Sequence, residues 1–203
     1  MMQGKQNLHP DTVRGRIQNF IDANAHLIKG DVLEIGALRP HEVAWWTDNK
    51  GRYGDKCNSW LGIDIAPGIG VDVVHPKETI LIGEILGDNE DINKFDCIIC
   101  SEVLEHVPDP VRLMAESRTL LKTGGILILT TLFAFPYHAY PNDYFRYSEQ
   151  GLRYVLEQAG FEHENIRTHS AGSVTFWLDD HSDTGRDFAE LKAPVHTFAT
   201  AIG

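Results

Sequence analysis

Phe95-Asp-Cys-Ile-Ile-Cys-Ser-Glu-Val-Leu-Glu-His-Val-Pro-Asp-Pro110 decides how this chain folds. Its opening, Phe95–Cys100, is a nearly continuous apolar run, the pattern of a strand covered on both faces of a sheet. Asp109 and Pro110 then open a helix. An Asp side chain caps the orphan backbone N–H groups, and proline already has the helical φ at a position that needs no N–H. Val111, Leu113, Met114, Leu120 and Leu121 supply the buried stripe of that helix. Gly124-Gly125 is expected to end it and turn the chain into Ile126–Leu132, another apolar strand. Strand, helix and strand in this order make a βαβ unit, so the sheet is parallel here and helices cover it.

The same alternation extends outward in both directions. Upstream, Val13, Ile17, Phe20, Ile21, Leu27 and Ile28 form one stripe of a helix expected over residues 11–29, with Gly30 to stop it. Asp31–Ile35 follows as a short strand, and Trp60–Ile65 as the next. Arg39–Ser59, with Trp45 and Trp46, reads as an insertion without a clear period, and Ile80–Asp91 as loop. Val71–Val74 is extended, yet the turn Ala66-Pro-Gly-Ile-Gly70 is far shorter than the dozen or so residues of a parallel crossover. Either the crossover helix is missing there, or Val71–Val74 is not a regular parallel neighbour. Downstream, Ser148 caps a helix carrying Leu152, Val155, Leu156 and Ala159, and Gly160 ends it. Phe161–His169 and Ser173–Leu178 are expected to close the sheet as an antiparallel hairpin about Ala171-Gly172. The expected fold is α/β: a Rossmann-like doubly wound, mostly parallel sheet in a three-layer αβα stack, with a C-terminal antiparallel hairpin. It is one domain over residues 1–180, and 181–203 is a tail to which no role is assigned.

Ligands of open α/β sheets bind beyond the carboxyl ends of the strands. Three signals meet there. Glu34-Ile-Gly36-Ala37 ends one strand in an acid and then a glycine that lets a ligand approach the backbone. Asp64-Ile65 ends the next with a carboxylate able to accept both hydroxyls of a ribose. Ser101-Glu102 follows the central strand directly.

Four stretches together resemble the successive motifs of class I S-adenosylmethionine-dependent methyltransferases. They are Val32-Leu-Glu-Ile-Gly36, Leu61-Gly-Ile-Asp64, Phe95–Pro110 and Leu120-Leu-Lys-Thr-Gly-Gly-Ile-Leu127. The resemblance covers about Asp31–Phe161. It implies S-adenosylmethionine as cofactor, with Glu34, Gly36 and Ala37 around its methionine part, and Asp64 and Ile65 at the ribose. Ser101 and Glu102 would border the site. His106, just before the helix at Asp109, is read as lining the cofactor cleft or packing, and is a second candidate base. Three departures stand out: Leu38 replaces the loop's second glycine, the gap from Glu34 to Asp64 is long, and His75-Pro76-Lys77 stands where an acidic adenine reader belongs. The competing dinucleotide fingerprint GxGxxG fails at Gly36-Ala-Leu-Arg-Pro-His41.

Phe135-Pro-Tyr-His-Ala-Tyr-Pro-Asn-Asp-Tyr-Phe-Arg-Tyr147 is the candidate acceptor segment. Methyl transfer mainly needs alignment and desolvation, helped by a base for an oxygen or nitrogen nucleophile. His138 is the candidate base, with Tyr137, Tyr140, Asp143, Tyr144 and Arg146 around the acceptor.

Composition narrows the function further. A net charge of −11 with 18 scattered Lys and Arg argues against a nucleic-acid partner. No apolar run approaches the roughly 20 residues of a membrane span, and no signal peptide is legible at Met1–Pro10, so a cytoplasmic location is expected. Cys97 and Cys100 stand three apart on a strand and so face opposite ways, which denies them a shared metal. No histidine spacing suggests a metal either, and none is expected. The sequence thus predicts methyl transfer to a small molecule or glycan. A methyltransferase-like domain that only binds, and a nucleotide-cofactor oxidoreductase, are the alternatives.

Overall fold

A computed structural model describes residues 12–39, 48–75, 93–139, 141–176 and 191–203. Trp45, Trp46, Tyr140, Pro76-Lys77, Ile80–Asp91 and the polar stretch after Asp179 up to residue 190 lie outside the described residues.

Strands β1 (Gly30–Ile35), β2 (Cys57–Asp64), β3 (Val73–Val74), β4 (Phe95–Ser101), β5 (Leu121–Leu132), β6 (Ile166–Ala171) and β9 (His196–Ile202) form one sheet in the order β3-β2-β1-β4-β5-β9-β6. β1 to β5 pair in parallel, and β9 runs antiparallel to both β5 and β6. The described α-helices are α1 (Val13–Ala23), α2 (Asn49–Tyr53), α3 (Pro110–Leu120) and α4 (Glu149–Gln158), joined by short 3-10 turns and a separate strand pair β7 (Val174–Phe176) and β8 (Leu191–Ala193). The Rossmann-like layered α/β reading holds.

Both faces of the sheet are buried. Ile98 and Cys100 pack with Leu113, Met114 and Leu156 from α3 and α4, while Cys97 and Ile99 pack with Ile17 and Ile21 of α1. The two cysteines point to opposite sides, as strand geometry requires. Asp109 and Ser148 cap α3 and α4 as read, accepting from the Arg112 and Gly151 N–H groups.

The structure differs from the sequence reading in four places. α1 stops at Ala23 instead of reaching Lys29, because the Asn24 side-chain amide donates to the Phe20 carbonyl (2.8 Å) and the chain leaves the helix in turns. Gly124-Gly125 does not end α3. The helix ends at Leu120, β5 starts at once, and the glycines form an irregularity in it, since Leu121 pairs with Phe95 and Ile126 with Cys97. The β2–β3 link over residues 65–72 does lack a crossover helix, and β3 is nonetheless a parallel neighbour, two residues long. Asp72 holds that tight return by accepting from the Gly62 N–H (2.7 Å) while its own N–H donates back to the Gly62 carbonyl (2.8 Å).

The fourth difference is at the C-terminal end. Ile166–Ala171 pairs with His196–Ile202, not with residues near 174; Val174–Phe176 pairs instead with Leu191–Ala193. β9, in a region read only as tail, is a core strand: Phe198, Ala199 and Ala201 are buried between β5 and β6. No helix of the described residues is long and apolar enough to cross a membrane.

Candidate functional site

The carboxyl ends of β1 and β4 open onto one small cavity lined by Arg14, Glu34, Gly36, Ala37, Leu38, Arg39, Asn49 and Ser101. Gly36 turns the chain off β1 with φ +76°, and a Cβ there would lie 2.3 Å from Val103 Cγ2. Only glycine fits on both counts. Its N–H and that of Ala37 both donate to the Ile63 carbonyl at 3.0 Å, tying this loop to the end of β2.

Glu34 accepts from Asn49 Nδ2 (2.8 Å) and Trp60 Nε1 (3.0 Å), and burial pushes its carboxyl up to about 7. Asp64 accepts from the Leu38 N–H (2.9 Å) and the Ala66 N–H (3.2 Å), so it joins the two loops that flank the cleft. Each of its oxygens keeps a lone pair for a further donor. Ile65 beside it is exposed.

A second polar centre lies beyond Ser101. The Ser101 hydroxyl donates to Thr130 Oγ1, which donates to Glu102 Oε1 (2.9 Å). Glu102 itself sits at φ +55°, a left-handed conformation that a Glu adopts only under constraint. The turn Leu104–His106 then places Glu105 in the interior with its side chain 0 % exposed. Glu105 Oε2 accepts from Thr131 Oγ1 (2.9 Å), while Oε1 has no hydrogen-bond partner. Burial and the nearby Glu102 charge raise its carboxyl well above the usual range.

His106 and His138 meet at this centre with ring centroids 4.9 Å apart, edge to face. His106 Nδ1 donates to the Asn142 carbonyl, which leaves the lone pair on Nε2, 3.8 Å from Glu105 Oε1. His138 Nε2 is buried without a hydrogen-bond partner, and burial, with His106 nearby, lowers the pKa of the ring. The candidate base is therefore held neutral, with a lone pair to offer.

The rest of the acceptor segment divides by role. Asp143 accepts from the His138 N–H (2.9 Å) and from both terminal nitrogens of Arg146, which holds its carboxyl well below the usual range. Arg146 also donates to the Phe135 and Pro136 carbonyls. This pair clamps the segment's two ends together rather than reaching into the cleft. Tyr137 and Tyr144 are exposed, the former 79 %.

Sequence reasoning missed Glu105 and Arg14. Nothing in the helical stripe of α1 distinguishes Arg14 from a solvated residue. Glu105 is adjacent to His106 in sequence, but only the 3-10 turn carries its side chain inward, against Thr131.

The methyltransferase domain model matches residues 17–166, most of the chain. The chain belongs to the methyltransferase domain family. Among curated relatives, it is 35% identical over 117 residues to the ubiquinone biosynthesis O-methyltransferase of Paraburkholderia phymatum, covering 56% of this chain and 49% of that protein. It is 51% identical over 64 residues to the protein of the same name from Histophilus somni, covering 32% and 23%. The chain thus spans about half, or less, of the length of these curated relatives. Solved structures share the fold. An S-adenosylmethionine-dependent methyltransferase from Archaeoglobus fulgidus has a TM-score of 0.62 at 16% identity, covering 94% of this chain and 93% of that one. The 1,6-didemethyltoxoflavin-N1-methyltransferase of Burkholderia thailandensis, solved with bound 1,6-didemethyltoxoflavin and S-adenosylhomocysteine, has a TM-score of 0.55 at 16% identity, covering 91% and 76%.

The methyltransferase domain's cleft suits the family's cofactor chemically. Arg14 and Glu34 line one cavity, and an ammonium beside Glu34 would draw off its proton, so the two suit an amino acid's carboxylate and ammonium. Gly36 turns the chain so that its loop lines the cavity, and Asp64 has acceptor capacity for ribose hydroxyls.

Proposed function

We propose that the protein transfers a methyl group from S-adenosylmethionine to an oxygen or nitrogen of a small molecule or glycan, acting in the cytoplasm without a nucleic-acid or membrane partner. One observation carries the reading: Ser101 lines the small cavity beside Gly36 and also hydrogen-bonds toward the Glu102–Glu105–His106–His138 centre. A cleft suited to the cofactor and a set of proton-handling groups therefore share one wall.

The cofactor supplies an activated methyl on a positively charged sulfur. The chain's own residues do the rest. Arg14 and Glu34 orient the amino-acid end, Gly36 and Ala37 leave room for it, and Asp64 and Ile65 meet the ribose. Glu102 and His106 border the reacting region. Tyr137 and Tyr144 flank the acceptor, on a loop whose shape Asp143 and Arg146 maintain. His138 Nε2 is the atom at which an acceptor proton leaves; a neutral imidazole excluded from water is suited to receive it.

Calorimetric titration with S-adenosylmethionine, S-adenosylhomocysteine and NADH tests the reading. Binding of the first two but not NADH is expected, as is a loss of at least about tenfold in affinity for Asp64→Asn. If neither sulfur compound binds, the proposal fails. With an acceptor in hand, His138→Ala should cut turnover about 10²-fold or more and leave cofactor affinity nearly intact. Loss of both together would make His138 structural.

A further inference from the structure

Three side chains converge at the acceptor end of the cleft in a way that proton transfer does not require. Glu105, His106 and His138 each present one donor atom, and these atoms all lie within 4.8 Å of one another. Two of them, Glu105 Oε1 and His138 Nε2, are buried and lack a hydrogen-bond partner. A buried polar atom without a partner costs free energy, so two aimed at the same space need an occupant. The third, His106 Nε2, is prepared for one: the bond from Nδ1 to the Asn142 carbonyl fixes the ring and its tautomer, which is the way outer partners orient metal-bound imidazoles.

Glu105 is wholly buried, and a cation at its unpartnered oxygen would take the place of a proton there. Glu102 Oε2 faces the buried His196 Nε2 at 3.6 Å. The guanidinium of Arg146 is spent on Asp143 and on carbonyls of its own loop.

We propose that Glu105, His106 and His138 bind a divalent first-row transition-metal ion at the acceptor end of the cleft. Two imidazoles and a carboxylate favour zinc, manganese or iron(II) over magnesium or calcium, which prefer oxygen ligands throughout. Bonds of about 2.1 Å place neighbouring donors about 3–3.5 Å apart, so the ion draws the three groups together by about an ångström. His138 stands on a loop and Glu102 borders the space as a further carboxylate. Three protein ligands leave positions open for an oxygen of the acceptor. This deepens the function proposed above at one point. A hydroxyl bound to the ion loses its proton to solvent more readily, and the His138 lone pair is then on the metal instead of taking that proton itself.

The test uses the full chain after treatment with a chelator, titrated separately with Zn²⁺, Mn²⁺ and Co²⁺, and with S-adenosylhomocysteine alone. At least one of the cations should bind one-to-one, and Co²⁺ should give the visible absorption of nitrogen and oxygen ligands. Glu105→Gln and His138→Gln should each weaken the metal about 10- to 100-fold or more while S-adenosylhomocysteine affinity stays within about threefold. His138→Gln, on the loop, keeps the test valid should the buried Glu105→Gln fail to fold. Absence of one-to-one binding of all three cations, or binding that neither substitution weakens, overturns the metal site and leaves the methyltransferase reading intact. Metal binding without S-adenosylhomocysteine binding would do the reverse.

Discussion

Glu34 titrates against its surroundings. Its carboxyl ordinarily loses a proton near 4.5, and burial moves that to about 7 despite the Asn49 and Trp60 donors. Between those values the folded state keeps a proton that the unfolded chain releases. Stability therefore falls as pH rises from about 4.5 to 7, and the penalty is complete above that. Two and a half pH units correspond to an upper bound of about 3 kcal/mol. Glu34→Gln removes the ionisation and leaves one of the two donors without an acceptor. Urea unfolding should show wild type losing about 2–3 kcal/mol relative to Glu34→Gln between pH 4.5 and 7.5. A constant difference across that range would refute the shifted titration. Arg14 makes a complementary prediction on binding: Arg14→Gln should weaken S-adenosylmethionine about tenfold or more, most of it absent for an analogue lacking the methionine carboxylate.

Among the elements, the turn after β1 is the least tolerant. A Cβ at residue 36 meets both a positive φ and the Val103 side chain, and either the turn or the Val103 segment must shift. Gly36→Ala should destabilise the fold by about 1–3 kcal/mol and weaken the cofactor at the same time, read by unfolding and by calorimetry. Helix α4 offers a milder case: Ser148 accepts from the Gly151 N–H (3.1 Å), so Ser148→Ala should cost about 1 kcal/mol and leave binding unchanged.

Elements defined by local chemistry were legible in advance, including the Asp109 and Ser148 caps and the apolar run of β4. What escaped depended on distant partners. Asn24 ends α1 through a side-chain bond that no periodicity reveals, and Gly124-Gly125 reads as a helix stop whether or not β5 has begun before it. In the site, Glu34, Gly36 and Asp64 announce themselves by position after strands. Glu105 does not, because only the fold brings Thr131 and His138 to it.

At the scale of the whole molecule, the last strand matters more than its composition suggests. β9 contacts β5 along Ile126–Leu132 and β6 along Ile166–Ala171, and the Thr197 hydroxyl donates to the Tyr147 carbonyl (2.6 Å) at the end of the acceptor segment. Removing residues 194–203 would expose the edges of two strands and uncover Phe20, which stacks on Phe198 in the full chain. The shortened chain should lose cooperative unfolding and aggregate, seen by circular dichroism and light scattering. A truncated protein that unfolds cooperatively and binds S-adenosylhomocysteine like the full chain would show that β9 is dispensable.

That placement also sets a timetable for synthesis. The gap between β5 and the edge strand β6 stays open until residue 202 has cleared the ribosome's exit tunnel, because its filler is made after both of its neighbours. During those seconds β5 and β6 present unpaired edges, for which a chaperone or a second nascent chain competes. A codon change or a fused partner that delays release of residues 196–202 should therefore lower the yield of active protein without altering a single contact in its final form.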